Sequence, residues 1–327
     1  MKKFIFTCGD INGIGPEIVI KTLNKIYKQS DSTFSFICPK NVFEFYSKIT
    51  PPQFDYYYSE EIQTHSKKSV RIINADNSKM TLGKPTKASG IISFTAVTTA
   101  AKACINKEFD AMITAPISKE SFNKAGINFP GHTELLAELT GSKNYVMMFI
   151  SKNLKAALLT IHIPLSKVST LVTKKILLAK LQTIVKTLKN DFKITTPKIA
   201  ILGLNPHAGE NGVLGDEEQK IIKPFIAQSS LKKYLTGPFS ADAFFANHLY
   251  RNYDLTFAMY HDQALIPFKM MNFNEGVNYT AGLPIIRTSP DHGTAFNIAG
   301  KNIADENSML QAFHYAKKIL VNRLSND

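Results

Sequence analysis

The chain has 327 residues with 44% hydrophobic and 20% charged side chains, the composition of an ordinary soluble protein long enough for two domains. Its net charge of +13 comes from lysines spread along the chain without interleaved aromatics, so we expect a solvated surface that favours small anions, and no nucleic-acid site. No uncharged apolar stretch reaches the roughly 18 residues of a membrane span, and the first strand leaves no room for a signal peptide. The three cysteines are scattered and form no disulfide framework. We therefore expect a cytoplasmic protein.

The first part of the chain alternates between predicted strands and helices. A strand over residues 3–7 runs into a glycine-rich turn, and Pro16 then suits the first position of a helix. Ile18 stands where a dinucleotide-binding Gly-x-Gly-x-x-Gly fingerprint needs glycine, so the turn is either structural or contacts a ligand of another kind. The next predicted elements are a strand at 34–38, a helix from about Asn41, and a polar excursion over 53–83 with short strands.

Apolar residues recur at helical spacing between Pro85 and Asn106, which predicts a long amphipathic helix. Its predicted inward face consists of Ile91, Phe94, Thr95, Thr98, Ala101 and Ile105. A strand at 109–114 and a short helix follow. The alternation of strand and helix predicts an α/β fold.

The second part of the chain continues this alternation. The predicted elements are a helix opened by Gly131-His132-Thr133-Glu134, strands at 145–150 and 155–162, helices over 165–190, a strand at 199–204, helices from about 214 and 242, a strand at 255–260, and a last helix from Asp305 to about Leu324. The turn before His132 and Thr133 is suited to holding an anion, with Thr133 or a neighbour free to cap the helix. On the last helix, one face carries Met309, Ala312, Phe313, Ala316, Ile319 and Leu320, and we expect that face to be core or interface.

Three histidines each follow an apolar run that is typical of a buried strand. His162 follows residues 156–161, His207 lies just after 199–204, and His261 follows 255–260. Ligands bind at the carboxyl ends of parallel strands, and three protein ligands with open positions describe a catalytic metal site. The trio therefore predicts a divalent metal that polarises a hydroxyl, although a single histidine is more often a hydrogen-bonded core or loop residue.

Other polar residues near these histidines in sequence are further candidates. Asp242 and Asp262 are predicted to be additional metal ligands or acceptors that orient the imidazoles. Lys269, Asn278 and Arg287 lie in segments otherwise poor in charge, where Lys and the planar fork of Arg fit a phosphate or carboxylate. Surface salt bridges are the alternative for the two cations.

Strings of residues along essentially the whole chain resemble the PdxA family, the 4-hydroxythreonine-4-phosphate dehydrogenases of pyridoxal phosphate biosynthesis. These strings are Gly13-Ile14-Gly15-Pro16-Glu17, Pro130-Gly131-His132-Thr133-Glu134, Leu204-Asn205-Pro206-His207-Ala208-Gly209-Glu210, Tyr260-His261-Asp262-Gln263, Ile286-Arg287-Thr288-Ser289 and Asp291-His292-Gly293-Thr294-Ala295. Matches of this length and number are specific to the family.

The resemblance implies a set of site residues. It places the metal ligands at His162, His207 and His261, and the substrate contacts at His132, Thr133, Lys269, Asn278 and Arg287. Asp242, Asp262 and Lys269 are our candidates for proton transfer or for support of the ligands.

The resemblance also implies the α/β fold of isocitrate and isopropylmalate dehydrogenases, with two α/β/α domains and the active site in the cleft between them. We expect residues 1–128 with 290–327 to form the cofactor-side domain, and 129–289 to carry the metal, substrate and dimer contacts. A homodimer with its active site at the subunit interface is implied as well. In such enzymes a loop like His292-Gly293-Thr294-Ala295 holds the adenine end of NAD or NADP.

The reaction implied is oxidation of the C3 hydroxyl of 4-phosphooxy-L-threonine by NAD or NADP, followed by loss of the carboxylate to give 3-amino-2-oxopropyl phosphate. One divalent ion, Zn, Mg or Co, is expected to take part. Asp305 and Glu306 would repel the 2′-phosphate of NADP while Lys301 would attract it, and we expect NAD. Two alternatives stay open: a related dehydrogenase of another phosphorylated hydroxy acid, such as 4-phosphoerythronate, and an acyl or phosphoryl transferase on the same fold.

Overall fold

The computed structural model describes residues 1–29, 31–60, 69–75 and 79–325, so part of the predicted polar excursion lies outside the described residues. The chain divides into two units. Unit 1 is Met1–Ser142 with Leu283–Leu320, and unit 2 is Lys143–Gly282 with Val321–Asp327. The domain boundaries expected after residues 128 and 289 stay a prediction about folding domains.

Helices and strands alternate along both units. From the N-terminus they are β1 (Lys2–Thr7), α1 (Gly15–Ile26), β2 (Ser32–Ile37), α2 (Lys40–Ile49), β3 (Tyr56–Ser59), β4 (Val70–Ile73), α3 (Lys87–Ile105), β5 (Ala111–Thr114), α4 (Lys119–Lys124) and α5 (His132–Leu139). Then come β6 (Val146–Ile150), β7 (Lys155–Leu158), α6 (Val168–Leu171), α7 (Lys174–Asn190), β8 (Ile199–Leu202), α8 (Lys223–Gln228), β9 (Leu235–Phe239), α9 (Ala241–Ala246), β10 (Leu255–Ala258), α10 (His261–Asn272), β11 (Val277–Ala281), β12 (Ile286–Pro290) and α11 (Asn307–Leu324). This confirms the α/β class.

Unit 1 is built on a sheet with the strand order β3-β4-β2-β1-β5-β12, in which the paired strands run parallel. Apart from the half-exposed edge strand β3, its strands are largely buried, as is usual where helices cover a parallel sheet. Phe4 of β1 and Phe34 of β2 meet Phe313 of α11, with ring centroids 5.0 and 5.7 Å from that of Phe313. The face of the last helix that was predicted to be core or interface belongs to the core, since all six of its residues are buried.

Helix α3 lies where it was predicted, but its predicted inward face is wrong. Ile91 and Ile105 are 46% and 41% exposed, whereas Ile92, Val97 and Ala100 are buried. The helix is rich in small residues, so alanines and serines rather than the bulkiest side chains allow close packing on β1, β5 and α4. By length and composition alone α3 could cross a membrane, yet more than half of that apolar stretch is buried inside the protein, as in a core helix.

Unit 2 contains a mixed sheet with the strand order β11-β6-β7-β10-β8-β9. Strand β6 runs antiparallel to β11 and β7, and the pairs from β7 to β9 are parallel. Strand β9 was not predicted, because Gly237 and Pro238 are disfavoured in strands; proline is tolerated at the sheet edge where β9 lies. The parallel strands β7, β8 and β10 place the loops that follow them at one edge of this sheet.

Candidate active site

Two of the three candidate histidines stand side by side beyond the neighbouring strands β7 and β10. These strands pair in parallel, with Thr256 opposite Ala156. The Thr160 hydroxyl donates to the Met259 carbonyl at 2.7 Å, which ties the two following loops together. The ring centroids of His162 and His261 are 6.1 Å apart as a result.

Both histidines line a pocket of about 350 Å³ in unit 2. His261 Nδ1 and Asp262 Oδ1, which lines the same pocket, are 2.7 Å apart. A carboxylate that accepts from Nδ1 fixes the ring and leaves Nε2 available as a metal ligand. This contact is the one expected of an acceptor that orients an imidazole.

His207 lies past the end of β8 in a turn with an unusual backbone. The φ angles of His207, Ala208, Gly209, Glu210 and Asn211 are 52°, 51°, 77°, 39° and 56°, all in the left-handed region. Left-handed conformation costs roughly 1–2 kcal/mol for each residue with a side chain. Such strain persists only where the surrounding structure holds it, and it often marks functional sites.

The predicted trio is not gathered within one chain. Among the residues that the structure describes, no three His, Cys, Asp or Glu side chains are grouped so that they could hold a metal. His207 instead interacts with Asp242. Hydrogen bonds from the Ser240 hydroxyl and the Ala243 amide lower the pKa of Asp242, and His207 lowers it further. His162 and His261 thus form a pair, and the ligand set of three stays a prediction.

Unit 1 carries a buried cationic group at Arg287 on β12. Arg287 is 1% exposed, and its Nε donates to Thr114 Oγ1 at 3.0 Å. Burial lowers the pKa of Arg287 to about 9, while the negative charge of Glu134 opposes that shift. The side chain therefore stays charged at neutral pH and is held by its own chain.

His132 begins α5 beside this guanidinium. Burial lowers the pKa of His132 well below its ordinary value, and the charge of Arg287 lowers it further, so the ring is neutral at neutral pH. Its buried Nε2 makes no hydrogen bond within the described part of the chain. We call Thr114, His132, Glu134 and Arg287 the anion cluster, because a charged fork, a ring nitrogen and a helix N-terminus together fit a phosphate or carboxylate.

The side-chain cap predicted at Thr133 or a neighbour is not found at the N-cap of α5. Gly131 is the N-cap of α5 and supplies no side-chain cap, while Thr133 lies inside the first turn and is 1% exposed. Thr114 and Glu134 were missed by sequence reasoning. Glu134 directly follows His132-Thr133 in the matched string, which is the signal that could have identified it.

The other predicted substrate contacts lie in unit 2. Lys269 is exposed on α10, and Asn278 is partly buried on β11. His132, Thr133 and Arg287 belong to unit 1.

The predicted cofactor loop, residues 292–295, packs on the glycine-rich turn. The Ile14 amide donates to the Thr294 carbonyl at 3.0 Å, and a Cβ added to Gly13 would come within 2.6 Å of the same oxygen. A Cβ on Gly293 would meet no atom of the described residues within 4 Å, so this part of the loop has room for a ligand. Glycine is thus needed at position 13 for the turn to pack against residues 292–295, which agrees with the structural interpretation of the turn.

Side chains of α1 fix the segment that follows. Glu17 is fully buried, and its Oε1 accepts from the Ala304 amide at 2.9 Å and pairs with Lys21 at 2.8 Å. Lys21 also donates to the Ala304 carbonyl at 2.8 Å, and Lys25 forms an ion pair with Glu306 at 2.6 Å. The segment that contains Ala304 and Glu306 is therefore held by its own unit.

Comparison with known proteins identifies relatives over the whole length. The family model described as pyridoxal phosphate biosynthetic protein PdxA matches residues 30–316. The chain is 42% identical to a 4-hydroxythreonine-4-phosphate dehydrogenase of Sulfurihydrogenibium sp. (strain YO3AOP1), covering 99% of each chain.

Solved structures agree with this likeness. A putative 4-hydroxythreonine-4-phosphate dehydrogenase from Salmonella typhimurium is 34% identical, with a TM-score of 0.84 over 98% of this chain and 99% of that one. The 4-hydroxythreonine-4-phosphate dehydrogenase from Klebsiella pneumoniae is also 34% identical, with a TM-score of 0.83 over 98% of this chain and all (100%) of the other. The predicted isocitrate and isopropylmalate dehydrogenase-like fold is confirmed by these neighbours.

Proposed function

The chain belongs to the PdxA family of pyridoxal phosphate biosynthetic proteins and is an oxidoreductase, and on that premise we propose that it oxidises the C3 hydroxyl of 4-phosphooxy-L-threonine. NAD or NADP takes up the hydride, the hydroxyl proton is released, and the resulting β-keto acid loses its carboxylate as CO2. Once a proton has been returned to the carbon, the product is 3-amino-2-oxopropyl phosphate.

The observation that carries this proposal is the His162–His261 pair on one pocket wall. Two imidazoles with ring centroids 6.1 Å apart, one of them oriented by Asp262, fit two ligands of a divalent ion such as Zn, Mg or Co. His162, His207 and His261 would hold the ion, and Asp242 and Asp262 would support them. The chemistry that such an ion supplies when bound is polarisation of the hydroxyl and stabilisation of the negative charge on oxygen.

The anionic ends of the substrate would be held by the remaining candidates. Arg287 offers a planar fork for phosphate or carboxylate, and His132 offers a neutral ring nitrogen. Thr133, Lys269 and Asn278 would complete the substrate contacts. Because the fork is buried, its interaction with an anion is less screened by water than a surface ion pair.

The cofactor would lie against residues 292–295. Gly293 leaves open space at its Cα, and the turn at Gly13 holds the Thr294 backbone in place through the Ile14 amide. His292, Gly293, Thr294 and Ala295 would then contact the adenine end, which leaves the nicotinamide to accept the hydride.

We further infer a cytoplasmic homodimer that shares its active site. Ile266 and Met270 on α10 and Phe273 at its C-cap are 59%, 82% and 84% exposed, and they recur at the spacing of one helix face. A ligand set divided between two subunits also accounts for a pair of histidines, rather than three, in one chain.

Light scattering should give a dimer for the wild type and a monomer with low activity for Phe273→Glu. Leu324→Glu, which is exposed on α11, is the control and should stay dimeric.

The central experiment is a spectrophotometric assay with 4-phosphooxy-threonine and NAD or NADP, with and without chelator. We expect NADH formation that a chelator abolishes and added metal restores. Faster turnover of 4-phosphoerythronate would identify the related dehydrogenase instead. Turnover without any NADH absorbance would indicate the transferase alternative.

A further inference from the structure

We propose that Glu218 is a positioning residue that fixes the loop carrying His207 and so determines the position of the His207 imidazole. The inference rests on the proposed metal-dependent function and adds a residue to it. The loop, residues 203–213, is called the His207 loop below. It follows β8, and Glu218 opens the π-helical turn Glu218–Ile222 shortly after it.

Glu218 is fully buried, and both carboxylate oxygens accept hydrogen bonds from the start of the His207 loop. Oε1 accepts from the Leu204 amide at 2.7 Å and from the Asn205 amide at 2.8 Å. Oε2 accepts from the Asn205 side-chain amide at 2.9 Å. Hydrogen bonds to an ionised acceptor are about twice as strong as neutral ones, so one side chain holds the two residues before Pro206.

Three glycines let the loop close around this carboxylate. A Cβ added to Gly209 would come within 2.7 Å of Glu218 Oε2, and one added to Gly203 within 3.1 Å of Oε1. A Cβ on Gly215 would lie 2.4 Å from the Asn205 side-chain nitrogen. The backbone therefore comes close to the carboxylate at the start of the loop, at Gly203, and again in the left-handed turn, at Gly209.

Gln263 connects this anchor with the turn that carries His261. Its side-chain amide donates to the Gly203 carbonyl at 2.6 Å, and its oxygen accepts from the Met259 amide at 2.8 Å. Gln263 is only 9% exposed and follows His261 by two positions. The base of the His207 loop and the His261 turn therefore belong to one buried hydrogen-bond network.

Core stability does not account for this arrangement. His207, Glu210 and Asn211 are exposed, so the left-handed turn gains little burial in return for its strain. A buried carboxylate is itself costly unless it is well hydrogen-bonded. Both features fix the direction of an exposed histidine, which is what a metal ligand requires.

Glu218→Gln tests the proposal, because it keeps the size of the side chain but turns one acceptor into a donor that faces other donors. We expect hydrogen exchange of the peptide 203–213 to accelerate at least tenfold. The affinity of the intact protein for Co2+ and its kcat should each fall by roughly 10- to 100-fold, and KM for NAD should not change. Asp216→Asn is the control: Asp216 is exposed, pairs with Lys220 and should leave exchange, affinity and kcat as in the wild type.

Two results would contradict the positioning role: unchanged exchange in Glu218→Gln, or faster exchange with Co2+ affinity equal to that of Asp216→Asn. A wild type that does not turn over 4-phosphooxy-threonine would contradict the proposed function, yet exchange and Co2+ affinity would still test Glu218. Glu218→Asp keeps the charge and replaces Glu218→Gln if that variant does not fold. We expect smaller losses in the same direction, and wild-type exchange and affinity in Glu218→Asp would overturn the proposal.

Discussion

The anion cluster of unit 1 and the histidines of unit 2 differ in how many of their side chains are grouped together within one chain. Arg287 is buried, donates a hydrogen bond to Thr114 and interacts with the negative charge of Glu134, and its own charge lowers the pKa of His132. His162 and His261 lie on an open pocket wall, and no third ligand is grouped with them among the described residues.

Burial explains this difference. A buried guanidinium must be satisfied by its own chain, since an uncompensated buried charge would be very costly. Solvated imidazoles carry no such cost, so they can remain available for a metal or a second subunit. Substitutions in the two regions should therefore separate effects on stability from effects on chemistry.

The largest effect is expected from the histidines. Replacing His162, His207 or His261 by Ala should lower metal content and reduce kcat by more than the roughly 10- to 100-fold that loss of a supporting group costs. Thermal stability should change little, because these side chains are not part of a core. His248→Ala, another exposed histidine of unit 2, is the matched control in metal analysis, kinetics and thermal melts. Full, chelator-sensitive activity in any one of the three variants would show that the ligand assignment is wrong.

Arg287→Ala should act on both properties and so sharpen the comparison. We expect kcat/KM to fall roughly 100-fold, about 3 kcal/mol for a desolvated charged contact. The melting temperature should also fall, because a buried group is lost. Arg287→Lys should not restore activity, since an ammonium cannot supply the bidentate fork.

The substrate itself provides the control for Arg287. Non-phosphorylated 4-hydroxythreonine should be a poor substrate of the wild type and lose little more in Arg287→Ala, because the phosphate partner is already missing. Equal penalties for phosphorylated and non-phosphorylated substrates would mean that Arg287 binds the carboxylate or holds the fold.

Sequence patterns predicted the elements that follow simple periodicity. The α/β alternation, the inward face of α11 and the strands before the three histidines follow from apolar runs and helical spacing. The predicted strand over 155–162 was too long, since β7 ends at Leu158 and His162 lies in the loop beyond it.

Long-range contacts explain what the sequence could not predict. Glu218 follows Asp216 and Glu217 and resembles part of a solvated acidic run, yet it is fully buried because Leu204 and Asn205 donate to it. Whether three strand-end histidines meet depends on loop conformation, and the left-handed turn at His207 has no periodic signal.

Cofactor preference should show a smaller effect. Lys25 pairs with Glu306 at 2.6 Å, so the acidic charge that was expected to repel the 2′-phosphate of NADP is partly compensated. We still expect a higher kcat/KM with NAD, and Lys25→Ala should increase that preference a few-fold by releasing the charge of Glu306. A ratio that favours NADP tenfold or more, about 1.4 kcal/mol, would overturn the expectation.

The smallest effect is expected at Gly293. A substitution there tests whether residues 292–295 form their cofactor site within one chain, as the residues of the anion cluster are grouped within one chain. A methyl group there meets no atom of the described part of the chain within 4 Å, so Gly293→Ala should leave the melting temperature unchanged. If the loop faces the cofactor, the same methyl group should raise KM for NAD a few-fold with little change in kcat. Gly13→Ala is the contrasting variant, because its methyl group would lie 2.6 Å from the Thr294 carbonyl oxygen and must displace the loop. It should raise KM and lower the melting temperature together. An unchanged KM in Gly293→Ala would place the cofactor away from residues 292–295, because the open space at that position would then face only water.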